Sequence, residues 1–413
     1  MTSQPANANL HTQATYLLER LRAIPAGIIE STNSTFFLLI ALQALQADSL
    51  SKSLILAGGN IGLLLTPWVV MWVARSGQPV MRVAAWLMGF GTIALIIAAA
   101  FPILPIYIAA AMLAYALTNM VIPLFTPVYQ ANYAPRERGK YVSRAIVVRV
   151  AVAALYGELA GRLLTLDVAL FRIVLVIAAV SFAASAFIIS RIPSQPIHAN
   201  ASAEQGGLKQ ILQSMSFLRT DKLLRNTMTA WMLMGFANLM MMPLRVEYLA
   251  NPIYGINLNA QQTAFLTVVI PSLARLVMSP IFGWVFDRLN FFATRVALNI
   301  AFAISILAFF TGNSYAGLVI GSLVFGIAIA GGDITWSLWV TKFAPPARVA
   351  DYMSVHTFFT GIRGVLAPLL AFQLITRFPV GQIGLLCAVM IGLASLILVP
   401  EVRFRRDGPV GCL

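Results

Sequence analysis

Five ionisable side chains stand inside long apolar runs of this chain: Glu30, Arg149, Arg275, Asp333 and Arg363. An ionised group is costly in hydrocarbon, so inside a spanning segment it marks an ion or solute pathway, or a pair that holds helices in register. At a helical rise of 1.5 Å per residue, Glu30 lies about 12 Å inward from Arg22 and Arg149 about 12 Å from Tyr141. Asp333 lies about 13 Å from Lys342, and Arg275 and Arg363 lie about 18 Å from Asp287 and Asp351. All five fall between one membrane edge and the midplane. Arg149 can pair with Glu30 and Arg363 with Asp333, either as fixed ion pairs or as pairs that exchange partners. In the second case Glu30 or Asp333 carries a proton, since a carboxylate out of water protonates more readily. Arg149, Arg275 and Arg363 would then meet an anionic group on a solute. Three cations against two anions point to such a solute.

Uncharged polar residues extend the same pattern. Glu30, Asn33 and Ser34 share one helical face by their spacing. Thr118 and Asn119 stand in the fourth run and Asn238 in the seventh. His356 opens the eleventh run, where a plain polar helix-start residue is the simpler reading and a proton relay the sharper one. Glu158 and Arg162, spaced i,i+4, are expected to pair. Arg245 and Glu247 close the seventh run and read as interfacial snorkelling residues, with an outer gate as the alternative. Met232, Met234, Met240, Met241 and Met242 read mainly as gap fillers, with adaptation to apolar ligands as the alternative.

The elements that must carry these residues follow from composition. The chain has 413 residues, 59% hydrophobic and only 10% charged, whereas soluble domains are about 25% charged. Apolar runs fall at 23–46, 50–73, 80–100, 104–128, 142–164, 169–190, 224–247, 259–285, 292–311, 315–340, 352–375 and 380–400. Each is long enough for a bilayer core of about 30 Å. The expected organisation is a tail over 1–22, a six-helix bundle over 23–190, a linker over 191–223, a second bundle over 224–400 and a tail over 401–413. A short surface helix is expected near 208–218. Lys and Arg cluster on one side if the N-terminus is cytoplasmic, and only Lys52, Arg162, Arg172, Arg245 and Arg377 fall on the other. The net charge of +14 is thereby spread over short loops facing anionic lipid, not gathered on a nucleic-acid face. Cys387 and Cys412 suit neither a structural disulfide nor a zinc site. No cleavable signal peptide is read at the N-terminus.

The stretch from Gly283 to Arg295 contains Gly283, Asp287, Arg288 and Arg295 between two apolar runs, its glycine read as a point of close helix contact. It resembles the signature loop of the major facilitator superfamily. The first-half counterpart has Arg75 and Gly77 but Ala74 where the aspartate belongs. The loops Tyr133-Ala-Pro135 to Ser143, with Arg138, and Phe343-Ala-Pro345 to Ser354, with Arg348, repeat aromatic-Ala-Pro, a basic residue and Tyr-x-Ser. Such doubled halves suit a transporter.

The resemblance implies an all-α membrane protein of twelve transmembrane helices in two pseudo-symmetric six-helix bundles. It implies alternating access to a solute site bordered by the first, fourth, seventh and tenth helices, with the second, fifth, eighth and eleventh beside them. The five buried charges all belong to those classes. Gly283, Asp287, Arg288, Arg295, Arg75, Arg138 and Arg348 would form the conformational gate. The expected function is secondary active transport of a small anionic organic solute, as a proton-coupled symporter or antiporter in a bacterial inner membrane. Both termini would be cytoplasmic and the protein a monomer in the lipid bilayer. No enzymatic activity, cofactor, metal or nucleic acid is expected. The alternatives are a flippase or exporter of lipids or amphipaths, favoured by the methionines, and a transport-inactive receptor or scaffold, favoured by Ala74.

Overall fold

The computed structural model describes residues 4–134, 137–196, 215–312, 314–339 and 349–404. Each of the twelve apolar runs is helical. The first is α1 (Gln4–Ser31), a π-helical turn (Thr32–Phe36) and α2 (Phe37–Gln43). Next come α3 (Ser49–Ser76), α4 (Val80–Ala100), α5 (Leu104–Val121) with its extension α6 (Phe125–Asn132), α7 (Arg138–Leu166) and α8 (Phe171–Arg191). After a short α9 (Phe217–Thr220), the chain continues with α10 (Lys222–Ala250) and α11 (Ala260–Ala264). A second π-helical turn (Phe265–Val269) leads into α12 (Ile270–Arg288). The last four are α13 (Phe291–Phe310), α14 (Tyr315–Leu338), α15 (Val349–Leu374) and α16 (Val380–Phe404). Among the described residues, ten helices are long and apolar enough to cross a membrane. The two others that match apolar runs, α7 and α10, are 29 residues each. They carry charges: Arg144, Arg149, Glu158 and Arg162 on one, Lys222, Arg225, Arg245 and Glu247 on the other. The expected surface helix at 208–218, most of the linker and most of the C-terminal tail lie outside the described residues.

The helix ends follow local chemistry. Asp48 caps α3 by accepting from the Ser51 amide, and Gly77 ends it with a φ of +63°, a left-handed conformation that glycine adopts without penalty. Asn290 caps α13 by accepting from the amides of Phe292 and Ala293.

The chain divides into two compact units. The first comprises 1–209 and 249–269. In it α3 lies on α5, α4 on both α5 and α8, and α1 on α7 and α8. Small residues set these approaches: a Cβ at Gly62 would overlap the Ala116 carbonyl, and one at Gly58 would stand 2.7 Å from Met112 Cα. Where hydrophobic association is absent, such backbone contact supplies the attraction between helices. On the same principle α11 and the π turn after it lie on α7 at Gly157 and Gly161. At one end of the unit the rings of Phe125, Tyr129, Tyr133, Tyr141 and Tyr16 form a continuous ladder, neighbouring centroids 4.7–5.6 Å apart. Glu19 binds Arg22 and the Tyr129 hydroxyl beside it.

The second unit comprises 210–248 and 270–413. Here α13 packs on α14 and α16, and α12 packs on α14. Both units expose large apolar side chains, such as Phe90, Ile93, Leu155, Val180 and Phe187 in the first and Ile300, Leu385, Leu393 and Leu396 in the second. Exposed apolar side chains in this number belong in lipid.

Gly62→Ala should therefore destabilise the first unit, by about 1–3 kcal/mol for overpacking. Gly139→Ala, with nothing within 4 Å of the added carbon, should leave the thermal midpoint in detergent unchanged or slightly raised. Equal midpoints for the two variants would contradict the packing described.

Candidate functional site

In the first unit the charged centre is built on α1 and α7. Glu30 precedes Ser31, the last residue of α1, and Arg149 Nε approaches its Oε2 to 2.8 Å. The two side chains are 33% and 32% exposed, so the pair is only partly buried. The π turn that follows carries Asn33 and Thr35. Turns of this kind are frequent at functional positions. Asn33 Nδ2 donates to Thr118 Oγ1 at 3.4 Å, while its Oδ1 has no hydrogen-bond partner. Thr35 and Thr267 hydroxyls meet at 3.3 Å, which brings the two π turns together within this unit. Asn119 is committed to structure: its amide donates to the Gly59 carbonyl at 2.8 Å.

Farther along α7, Glu158 and Arg162 form the expected pair at 2.7 Å. Glu158 also accepts from Gln261 Nε2 at 2.7 Å, and Thr165 Oγ1 accepts from the Gln261 amide at 3.0 Å. Gln261 carried no signal in the sequence, because its partners lie about a hundred residues away.

In the second unit Arg275 on α12 pairs with Asp333 on α14, Nη2 to Oδ2 at 2.6 Å. Arg275 is 14% exposed and Asp333 51% exposed. This corrects the expected pairing of Asp333 with Arg363. Depth alone suggested that pairing, but it is α12 that packs along α14 and presents the arginine. Arg363 instead donates from Nη1 to the Trp231 carbonyl of α10. Asn238, one turn beyond Met234 on α10, is half-buried.

Two further readings are corrected. Arg295 is not a loop residue. Because Asn290 caps α13, Arg295 falls in the second turn of that helix, 2% exposed, with Cζ 3.7 Å from the Trp231 ring centre. It donates to Thr335 Oγ1 at 3.4 Å and to Met234 sulfur at 3.3 Å. Gly283 does not mark a close helix contact, since a Cβ there would meet nothing within 4 Å. Of the remaining gate candidates, Arg75 is exposed and Arg288 is exposed, with its guanidinium 4.9 Å from the Trp284 ring centre. The side chains of Asp287 and Arg138, and the whole of Arg348, lie outside the described residues, as does part of each repeated loop.

Arg245 and Glu247 are buried, 3% and 2% exposed, rather than snorkelling. Arg245 donates to Ser305 Oγ at 2.6 Å and stands over Phe325 and Phe309, 3.9 and 4.7 Å from their ring centres. His356 is enclosed too, at 1% exposure, among Trp231, Trp336 and Trp339. The methionines Met234, Met240 and Met241 are buried filling.

A sequence model described as the Major Facilitator Superfamily matches residues 23–368. No curated protein matches significantly. Among solved structures, the nucleoside transporter NupG is similar at 14% identity, covering 96% of this chain and 99% of its own, with a TM-score of 0.72. A D-xylose–proton symporter matches at 16% identity over 95% of this chain and 96% of its own, TM-score 0.64. The inward-open xylose transporter XylE from E. coli matches at 15% identity over 95% of both chains, TM-score 0.62. At these identities the structural likeness concerns the fold. The family match extends over most of the chain, and with the twelve-helix fold it makes this protein a member of the Major Facilitator Superfamily, a transporter rather than an enzyme.

Proposed function

We propose that this protein is a secondary active transporter that moves a small organic solute bearing an anionic group by alternating access, coupled to protons. The observation that carries the reading is the presence, in each unit, of a partly exposed carboxylate–arginine pair inside the spanning helices: Glu30 with Arg149, and Asp333 with Arg275. Protonating either carboxylate removes the charge that holds its arginine. The freed guanidinium then has a solute anion as its best partner, because an unpaired buried charge is strongly unfavourable. Proton uptake and anion binding are thereby linked through one side-chain pair. Asn33 adds an open acceptor beside the first pair, and Asn119 braces the helix that carries Thr118.

The similar structures include a proton symporter, which agrees with this coupling. The Lys and Arg distribution supports cytoplasmic termini, and the compact loops suit a bacterial inner membrane. We place Asp287, Arg288, Arg75, Arg138 and Arg348 at that surface as gate residues, in a monomer arranged as bundles over 23–190 and 224–400. Burial of Met234, Met240 and Met241 supports reading these three as packing residues.

The first test is flux in proteoliposomes, using the metabolite that most raises the protein's melting temperature in a screen. Wild type should concentrate it under a pH gradient. Glu30→Gln combined with Asp333→Asn should abolish that accumulation, and pH-driven accumulation by the double variant would exclude these carboxylates as carriers. The second is Asp287→Asn. It should insert normally and slow exchange by about tenfold, equivalent to ~1.4 kcal/mol on the barrier; a wild-type rate in a correctly inserted variant would remove the aspartate from the gate.

A further inference from the structure

Apart from its ion pair, the second unit collects three nitrogenous side chains around one indole. Arg295 from α13 lies over the Trp231 ring. Arg363 from α15 donates to the Trp231 carbonyl. His356, seven residues before Arg363 and so on the same face of α15, has its ring centre 5.1 Å from that of Trp231, 5.6 Å from Trp336 and 5.0 Å from Trp339. All three are buried, at 2%, 5% and 1% exposure. None of them forms an ion pair with a carboxylate among the described residues.

Donors outnumber acceptors among the unmatched polar atoms. Arg363 Nε, Trp231 Nε1, Thr360 Oγ1 and both His356 ring nitrogens are buried without a partner. Arg363 and Trp231 supply donors only, and Thr360 and His356 can each supply another. Buried donors without acceptors are unfavourable, and two guanidiniums in one dry cluster are more so. Aromatic faces offset only part of this. The space is also specific, since a Cβ at Gly235, one turn beyond Trp231, would overlap the Arg363 guanidinium. What the cluster lacks is an anion with several acceptor oxygens.

We infer that Arg295, His356, Thr360 and Arg363 form a binding site for a compact oxyanion, a carboxylate or phosphate group, with Trp231, Trp336 and Trp339 as its walls. The site rests on the transport reading for its role, where it is a second oxyanion site besides the Arg149 and Arg275 pairs. Its ligand chemistry follows from the guanidinium fork, which matches the two oxygens of a carboxylate or phosphate. Binding draws Arg363 away from the Trp231 carbonyl and supplies the missing acceptors.

The test is tryptophan fluorescence of the purified full-length protein in detergent, titrated with sodium phosphate and separately with sodium succinate, with chloride holding ionic strength constant. Three of the chain's seven tryptophans wall the site. A saturable change with at least one oxyanion is expected; the two titrations show which oxyanion fits. Arg363→Gln and Arg295→Gln should each weaken it at least tenfold, and exposed Arg172→Gln should not. Should the arginine variants fail to fold, Thr360→Val, close in volume, must still weaken binding severalfold. No saturable response in wild type, or one that survives these substitutions, overturns the site. Flux of the same radiolabelled oxyanion is measured separately: binding without flux leaves the site and removes the transport reading, whereas flux unchanged in the arginine variants does the reverse.

Discussion

A charge within a bilayer must be matched, and that constraint governs where the polar chemistry of this protein sits. Moving an unpaired arginine or carboxylate to the centre of a membrane costs at least ~2.5–3.5 kcal/mol by the mildest scale. Three ways of meeting the cost occur here. Glu30 with Arg149 and Asp333 with Arg275 use opposite charge. Arg245 and Arg295 use ring faces and a neutral acceptor. Arg363 uses a backbone carbonyl. The first way is reversible on adding a proton, which is why the two paired carboxylates, and not the enclosed arginines, carry the coupling reading.

The apolar frame serves the same end by bringing backbones close. Gly58 and Gly62 let α3 lie on α5, and Asn119 on α5 then reaches the Gly59 carbonyl between them. Gly157 and Gly161 do likewise for α7, where Glu158 and Thr165 reach Gln261. In both places close backbone approach at small residues lies beside a side-chain hydrogen bond between the same two elements. Dispersion and hydrogen bonding therefore act at the same contact, as suits a solvent in which burial of apolar area gives helices no preference for one another.

Helix number and the depth of the charged residues were legible in the sequence, because both depend on one-dimensional counting. Each of the twelve apolar runs is helical, and Glu30 does meet Arg149. Rotation about the helix axes was not legible. Asp333 lies at a depth that suited Arg363, yet it is Arg275 that faces it, and only the packing of α12 on α14 decides this. Arg295 was misread as a loop residue because its loop motif drew attention from Asn290, a cap that places it on the helix. Its aromatic partner is 64 positions away by residue number, Arg295 against Trp231, beyond any local pattern. The indole cage around His356 was likewise invisible, since its members come from α10, from α15 and from the end of α14 and the residue beyond it.

The paired π turns at Thr32–Phe36 and Phe265–Val269 have a mechanical consequence. Each stores one residue beyond the regular winding. Rewinding such a turn into ordinary helix would swing every side chain on the far side by about 100°, one residue's share of a 3.6-residue turn. The hydroxyls of Thr35 and Thr267 touch where the two irregularities face each other, so a change of pitch in one strand of this contact is felt by the other. The chain thus holds, in two adjacent helices, a ready means of re-aiming polar groups with an axial shift of only about 1.5 Å, one residue's rise.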